Sequence, residues 1–233
     1  MITRYTEPEQ LAAEFMADRE KAQYWQKKLS MKEPYNGPTR TAFRNVMMGV
    51  TAEARSETYY YQSPSTGNRW MLWWKVISEG IGNTPTLRDY TVCYQMTEQS
   101  MTIMVPTTLE NHEAMAKGIT IFTDHMFLRM HQRLGVDMSD REEIIRNFVE
   151  TVMAGCIDIR DPREGETDPQ VVCRLPKSWL RGHYIEMDDL YLIRFNTFYT
   201  DNQLTSAQRR YLKSFAKFAD KFTSKNEIKK YFQ

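Results

Sequence analysis

Short β-prone segments recur along the whole chain and alternate with stretches whose apolar residues repeat at helical spacing. These segments lie between turn residues and occupy positions 59–61, 69–77, 89–96, 101–105, 119–122, 156–159, 171–175, 181–187 and 190–199. Neighbouring segments joined by short turns favour antiparallel pairing, and the first four predict a meander. We therefore predict an α+β fold, with antiparallel strands in both halves and helices packed on one face. We expect one domain over residues 1–233, with a boundary near Gly118 as the alternative.

Helices are predicted between these strands from apolar periodicity and capping residues. The first begins at Pro8 and ends before Pro34, and residues 39–58 are left without a prediction. A short helix is predicted from Thr107 to Gly118, with the glycine ending it. The remaining helices are predicted at residues 124–134, after a capping box at residues 139–142, and after a cap at Thr205 or Ser206.

Composition limits the class of protein. Hydrophobic residues make up 41% and charged residues 26% of the chain, as in soluble globular proteins. The net charge of +1 is much lower than that of a general DNA-binding protein. The three cysteines are few and widely spaced, and neither a signal peptide nor a bilayer-spanning segment is evident. We expect a cytoplasmic protein with reduced thiols and no membrane association.

Several familiar catalytic motifs are missing from the sequence. It contains no His-Glu-x-x-His, no complete phosphate-binding glycine loop and no Gly-x-Ser-x-Gly elbow. The acidic segment 158–168 does not have the spacing of a calcium loop, so a solvated turn is favoured over a metal site. Cys173 with His183 remains a minor alternative as a nucleophile and base. We predict neither a metal ion nor another cofactor.

The strongest candidate site is one face of the helix at residues 124–134. His125, Arg129 and Arg133 recur every four residues, so their side chains lie along one face. Guanidinium groups bind phosphate, and a neutral imidazole serves as a general base, so this face suits phosphodiester chemistry. The alternative is an ordinary polar face in which the arginines pair with Asp124 or Glu143.

A late β-prone strand at residues 191–199 supplies further candidates. Strict alternation places Thr197 and Tyr199 on the face of Phe195, and Arg194 and Asn196 on the other. A polar side chain within such an apolar strand requires a polar partner, a ligand or water. The strand is therefore either a half-exposed edge strand or part of a site.

The order of these elements resembles known proteins over about residues 119–205. A helix with His-x-x-x-Arg, a capped second helix and a late Arg-Phe-Asn-Thr-Phe-Tyr strand resemble those of small uncharacterised bacterial and phage proteins. More remotely, they resemble the barnase–RelE group of metal-independent ribonucleases, in which basic side chains and a late-strand Thr or Ser surround the scissile phosphate. The resemblance implies RNA as a substrate. It also implies a set of catalytic residues comprising His125, Arg129, Arg133, Thr197 and Tyr199.

A second hypothesis assigns the chain a non-catalytic role as a protein-interaction or structural module. Its aromatic meander would then bind a protein partner through Tyr59, Tyr60, Tyr61, Trp70, Trp73 and Trp74. The basic C-terminal helix could likewise contact an anionic surface. Its apolar stripe, which includes Leu212 and Phe215, instead predicts a helix docked on the sheet, with a frayed tail after about Lys225.

Overall fold

Helices and strands both contribute to the fold, as predicted, and strand pairing is mostly antiparallel. The computed structural model describes residues 6–30, 37–78, 85–98, 100–110, 115–153, 156–160, 169–188 and 190–225. These residues form five α-helices and ten strands, which confirms the α+β class. Contacts divide the chain into two compact units, residues 1–95 and 96–233. The single-domain interpretation, with its alternative boundary near Gly118, stays a prediction.

The first unit is built around one central strand. Its elements are α1 (Pro8–Ser30), α2 (Gly37–Met47), β1 (Glu53–Arg55), β2 (Tyr59–Gln62), β3 (Arg69–Ser78) and β4 (Pro85–Met96), which ends at the division. Strands β1 and β2 pair in succession with one edge of β3, and β4 pairs with the other, all antiparallel. The predicted N-terminal helix and the β2–β3 hairpin are confirmed. Residues 39–58, left without a prediction, lie largely in α2 and β1.

Strand β3 is buried on both faces, as its nearly unbroken apolar run requires. Trp70 packs on Phe15 of α1 with ring centres 5.0 Å apart, and Trp74 joins a buried cluster with α2. On the opposite face, Trp73 stacks on Tyr90 of β4 at 5.1 Å. The three tryptophans are therefore core residues of this unit.

A buried carboxylate ties α1 to the β2–β3 turn. The Asp18 side chain is fully buried and accepts hydrogen bonds from Ser63 Oγ at 2.5 Å and Asn68 Nδ2 at 2.9 Å. The Thr66 hydroxyl donates a third hydrogen bond to the same carboxylate. A buried charge is tolerated only when its hydrogen-bonding capacity is met, so this turn is specified by Asp18 as well as by its own residues.

The second unit contains six strands and three α-helices among its described residues. They are β5 (Met101–Glu110), β6 (Met115–Phe122), α3 (Asp124–Leu134), α4 (Arg141–Val152), β7 (Cys156–Arg160), β8 (Gln170–Leu175), β9 (Ser178–Glu186), β10 (Tyr191–Thr200) and α5 (Ser206–Lys225). The strand order is β5-β6-β10-β9-β8-β7, and only β6 and β10 are parallel. The predicted strand pairs β7–β8 and β9–β10 are confirmed.

The helix predicted from Thr107 to Gly118 is wrong. Residues 101–110 continue as β5 and pair antiparallel with β6, so Gly118 lies inside a strand. A Cβ atom at Gly118 would lie 2.4 Å from the ring of Tyr191, its register partner in β10. The glycine is therefore required by close packing against an aromatic ring, and it does not end a helix.

Helices cover both faces of the sheet in the second unit, so the prediction that helices pack on one face is wrong here. Phe148 of α4 contacts Phe122, which stacks on Phe195. Trp179, which packs with α5, lies three residues from Gly182, the partner of Phe195 in β9. An odd separation along a strand places side chains on opposite faces, so α4 and α5 lie on opposite sides.

The helix ends follow the expected capping chemistry, with one correction. Helix α3 ends at Gly135, whose φ of 66° is left-handed, as predicted. Helix α4 is capped by Asp140, which accepts from the Glu143 N–H, whereas the predicted cap was Ser139. Thr205 and Gln208 form a reciprocal capping box at α5. Residues 161–168 and 226–233, including the predicted frayed tail, lie outside the described residues.

Candidate functional site

The start of α3 is held against β10 by its N-cap residue. The backbone N–H and the hydroxyl of Thr123 both donate to the Phe195 carbonyl oxygen, at 3.2 and 3.1 Å. Thr123 Oγ1 in turn accepts from the Met126 N–H, which satisfies one of the free donors of the first turn. The helix is further anchored by the buried side chains of Met126, Phe127 and Met130. Its opposite face therefore has a defined position relative to β10.

His125 and Arg129 form a pair on the exposed face of α3. Arg129 Nε donates to His125 Nε2 at 3.4 Å, and Arg129 Nη1 donates to Gln132 Oε1 at 3.2 Å. Asp124, the predicted alternative partner of the arginines, accepts the His125 backbone N–H at 2.8 Å. Among the residues that the structure describes, the guanidinium of Arg129 thus donates to neutral acceptors, and its positive charge remains available to an anion.

Arg133 lies one turn further along the helix and contacts β10. Its guanidinium carbon lies 4.9 Å from the centre of the Tyr199 ring, which is a cation–π contact. Its Nη1 atom is buried and has no hydrogen-bond partner among the described residues. Burial and the positive charge of Arg129 lower the pKa of Arg133, and the Tyr199 hydroxyl partly opposes this. A buried, unpaired N–H donor costs about 1–3 kcal/mol, which a bound anion would offset.

A β-bulge in β10 changes which side chains share a face. Phe195 opposes Gly182 in β9, whereas Thr197 opposes Arg181, so Asn196 is an extra residue. Thr197 and Tyr199 therefore face away from Phe195, and the strict alternation predicted for this strand is wrong.

Four of the five predicted catalytic residues are connected in series along α3 and β10. We call His125, Arg129, Arg133 and Tyr199 the α3 strip. His125 contacts Arg129, the charge of Arg129 acts on Arg133, and Arg133 contacts Tyr199. Thr197 lies two residues before Tyr199 on the same face of β10. His125 and Arg133 are eight residues apart, about 12 Å along the helix, so the strip is extended rather than a single convergent cluster.

A pocket beside Tyr199 was not predicted from the sequence. It has a volume of about 580 Å³ including its open mouth, and we call it the α5 pocket. Its polar lining residues are Arg160, Gln170, Arg181, Tyr199 and Gln208. Its apolar lining includes Val172, Trp179, Leu204 and Leu212. These residues are separated by up to 52 positions in the sequence, so only the pairing of β8, β9 and β10 and the docking of α5 bring them together.

The polar side chains of β8 and β9 are ordered by mutual hydrogen bonds. Arg181 Nε donates to Gln170 Oε1 at 3.1 Å, and Gln170 Nε2 lies 3.2 Å from His183 Nδ1. Asp201 accepts from Arg174 at 2.5 and 3.2 Å and from Trp179 Nε1 at 2.8 Å. The indole of Trp179 is thereby held in place at the wall of the α5 pocket.

The Cys173–His183 alternative is wrong. Cys173 opposes Leu180, which is three residues from His183 in β9, so the two side chains lie on opposite faces. Cys173 is fully buried, and burial raises the pKa of its thiol. A protonated thiol without a neighbouring base is a poor nucleophile.

The aromatic surface of the first unit differs from the predicted one. The tryptophans of β3 are buried, whereas Tyr59 and Tyr60 of β2 are exposed. Helix α1 adds the exposed rings of Tyr24 and Trp25, with Trp25 6.4 Å from Tyr59 between ring centres. Lys28 Nζ lies 4.6 Å from the centre of the Tyr24 ring and 4.9 Å from that of Trp25. Sequence reasoning missed the contribution of α1 because that contact depends on tertiary packing.

Comparison with known proteins adds no functional information. The chain matches no protein-family model, and neither a curated protein nor a solved structure is similar enough to count as a relative. None of the helices in the described residues combines the length and the apolar character needed to span a lipid bilayer.

Proposed function

We propose that this protein binds RNA along the α3 strip and cleaves it without a metal ion. The observation that carries the proposal is the continuous series from His125 to Tyr199. Within the described part of the chain, Arg129 contacts neutral groups and a buried donor of Arg133 has no hydrogen-bond partner. The strip extends about 12 Å, whereas stacked nucleotides are spaced by about 3.4 Å. An extended polyanion therefore matches the strip better than a single small phosphate.

In the proposed reaction, His125 acts as the general base. For this step Nε2 of the imidazole exchanges its hydrogen bond from Arg129, which is 3.4 Å long, for one from a ribose 2′-hydroxyl. It then removes the hydroxyl proton, and the 2′-oxygen attacks the adjacent phosphorus. The bond to the 5′-oxygen breaks, that oxygen takes a proton from water, and a 2′,3′-cyclic phosphate remains. Arg129 and Arg133 stabilise the negative charge that develops on the phosphorane, which is the role a metal ion would otherwise have.

The test is cleavage of RNA in EDTA by the wild-type protein and by the His125→Ala variant. General base catalysis contributes about 10²–10⁴-fold, so we expect a loss of at least about a hundredfold. His131→Ala is the matched control, since His131 is an exposed histidine of the same helix whose Nδ1 contacts the Val136 carbonyl oxygen. No cleavage by the wild-type protein, or equal cleavage by His125→Ala, would contradict the proposal.

The arginines provide a second test that separates binding from catalysis. Removing a phosphate contact weakens RNA binding and reduces its dependence on salt. Arg129→Gln and Arg133→Gln should therefore bind RNA more weakly at 50 mM salt, with a shallower salt dependence, whereas His125→Ala should bind normally. A salt dependence that is identical in all three variants and the wild-type protein would exclude the strip as the RNA contact.

Binding of a protein partner through the first unit is a second candidate function. The exposed rings of Tyr24, Trp25 and Tyr59, with Lys28 over two of them, carry this alternative. The test is to identify a protein that co-purifies with the tagged chain and then to measure binding between the two purified proteins. This partner should bind the Trp25→Ala variant much more weakly than the wild-type protein. Equal binding of the variant would exclude this surface.

A further inference from the structure

The exposed face of α1 carries two aromatic rings between two lysines. The exposed residues Lys21, Tyr24, Trp25 and Lys28 have the spacing that places side chains on one helix face. Tyr59 of β2 adds a third exposed ring, and we call these five residues the aromatic patch. Seven residues of helix extend about 10 Å, which is about the length of three stacked nucleotides.

The three rings of the aromatic patch lie side by side. Ring centres are 6.1 Å apart for Tyr24 and Trp25, and 6.4 Å apart for Trp25 and Tyr59. Trp25 is 37% exposed, whereas each of the other four tryptophans is at most 6% exposed. Exposed rings that lie next to one another mark a contact surface, and every nucleobase has a flat face that can stack on them.

The charges around the rings favour a nucleic-acid strand over a protein partner. Lys28 Nζ lies 4.6 and 4.9 Å from the centres of the two α1 rings, so a positive charge is held beside them. Residues 19–28 include four basic side chains and one acidic side chain, and the acidic Glu57 precedes Tyr59 by two residues. Lysine is depleted at protein–protein interfaces, whereas a strand whose bases stack on aromatic rings requires cations for its phosphates.

From these features we propose that the aromatic patch binds single-stranded RNA by base stacking, with Lys21 and Lys28 contacting its phosphates. The identity of the ligand as RNA rests on the function proposed for the α3 strip. The patch itself belongs to the first unit and contains none of the proposed catalytic residues. It therefore contributes affinity for the strand and takes no part in the chemical step.

Trp25 serves as the reporter in the test, because the other tryptophans are buried. The probe is an oligoadenylate of 2′-O-methyl nucleotides, which has no 2′-hydroxyl and is not cleaved by the proposed reaction. Tryptophan emission of the full chain is followed during titration, and the affinity is measured by the anisotropy of a labelled strand. Thermal melting establishes that each variant is folded. The same strand annealed to its complement, and inorganic polyphosphate, supply the charge without accessible bases.

We expect the single strand to quench the emission of Trp25 saturably, and the duplex and polyphosphate to leave it unchanged. Trp25→Ala should bind the strand about tenfold more weakly, which corresponds to about 1.4 kcal/mol. Trp25→Phe keeps an aromatic ring, so it should bind within about threefold of the wild-type protein while losing the emission change. Lys28→Gln should reduce the slope of log K against log salt by about 0.7, whereas the exposed Lys117→Gln control should leave it unchanged.

The Arg129→Gln/Arg133→Gln double variant separates this inference from the function proposed for the α3 strip. Quenching of Trp25 should persist in it, because the aromatic patch is intact. Cleavage of RNA by the wild-type protein with no change in Trp25 emission would overturn the aromatic patch alone. Quenching without any cleavage would contradict the proposed reaction and support the patch. Equal quenching by polyphosphate or by the duplex, or equal affinity of Trp25→Ala and the wild-type protein, would also overturn base stacking at this surface.

Discussion

Replacing Gly118 with alanine should destabilise the second unit, because the added methyl group has no room. A Cβ atom at this position lies 2.4–2.5 Å from three carbon atoms of the Tyr191 ring. Carbon atoms normally approach to about 3.5–4.0 Å, so the ring must move by about 1 Å. Tyr191 is only 1% exposed and stacks on Tyr184 with ring centres 5.8 Å apart. The ring therefore has little space into which to move.

The expected loss of unfolding free energy is about 2 kcal/mol. Overpacking a buried site costs about 1–3 kcal/mol, and alanine recovers about 0.5–1 kcal/mol relative to glycine within a strand. The expected loss lies near the upper end of the resulting range, because Gly118 and Tyr191 both lie in paired strands and neither backbone can move away easily. In a Tyr191→Ala background the ring is absent, so Gly118→Ala should be neutral or slightly stabilising. The coupling energy between the two positions should be about 2 kcal/mol.

Guanidinium chloride unfolding of the full chain, followed by fluorescence and circular dichroism, measures these values if the m-value stays constant. Gly135→Ala is the control. It introduces backbone strain at a φ of 66° in open space, so its cost should be the same in both backgrounds. A cost below about 0.5 kcal/mol for Gly118→Ala, or the same cost with and without the Tyr191 ring, would refute the steric explanation.

Three further predictions follow from buried groups. Asp18→Ala removes the acceptor of three donors in the first unit, of which Ser63 and Asn68 are buried, and each buried donor left unsatisfied costs about 1–3 kcal/mol. The unfolding free energy, measured by denaturant unfolding, should therefore fall by about 2–5 kcal/mol, and a loss below about 1 kcal/mol would contradict this. Burial raises the pKa of the Cys93 and Cys173 thiols, so stability is unaffected below the unfolded pKa of about 8.5 and falls above it by about 1.4 kcal/mol per pH unit for each thiol. The Cys93→Ala and Cys173→Ala variants should each reduce that slope, and an unchanged slope would exclude the thiols as its origin. Deleting residues 206–233 exposes the apolar cluster under α5 and should make the protein unfolded or insoluble; a soluble product with an unchanged Tm would show that α5 is an appendage.

Local patterns predicted the elements whose formation depends mainly on local chemistry. Helix α3 was predicted between Thr123 and Gly135 because both caps are encoded beside the apolar repeat. The segment from Thr107 to Gly118 has a similar capping pattern, yet its described residues, 107–110 and 115–118, lie in strands. There the long-range pairing of β5 with β6, and of β6 with β10, outweighs a weak local helical preference.

The candidate functional residues can likewise be divided into those that local spacing aligns and those that only strand pairing brings together. Helical spacing was sufficient to align His125, Arg129 and Arg133, because residues four apart share a helix face. The α5 pocket requires the register of three strands, since Gln170, Arg181 and Tyr199 become neighbours only after β8, β9 and β10 have paired. Period-two patterns within one strand carry no information on which strand lies beside it, so no analysis of single segments would have found this pocket.

The β-bulge at Asn196 explains why the α3 strip and the α5 pocket share a residue. Without the extra residue, Tyr199 would lie on the face of Phe195, which stacks on Phe122 in the core. The bulge turns Tyr199 to the other face, where it receives Arg133 from α3 and lines the pocket beside α5. Bulges persist where they redirect a side chain, and this one places a single aromatic ring between a cationic helix face and an apolar pocket.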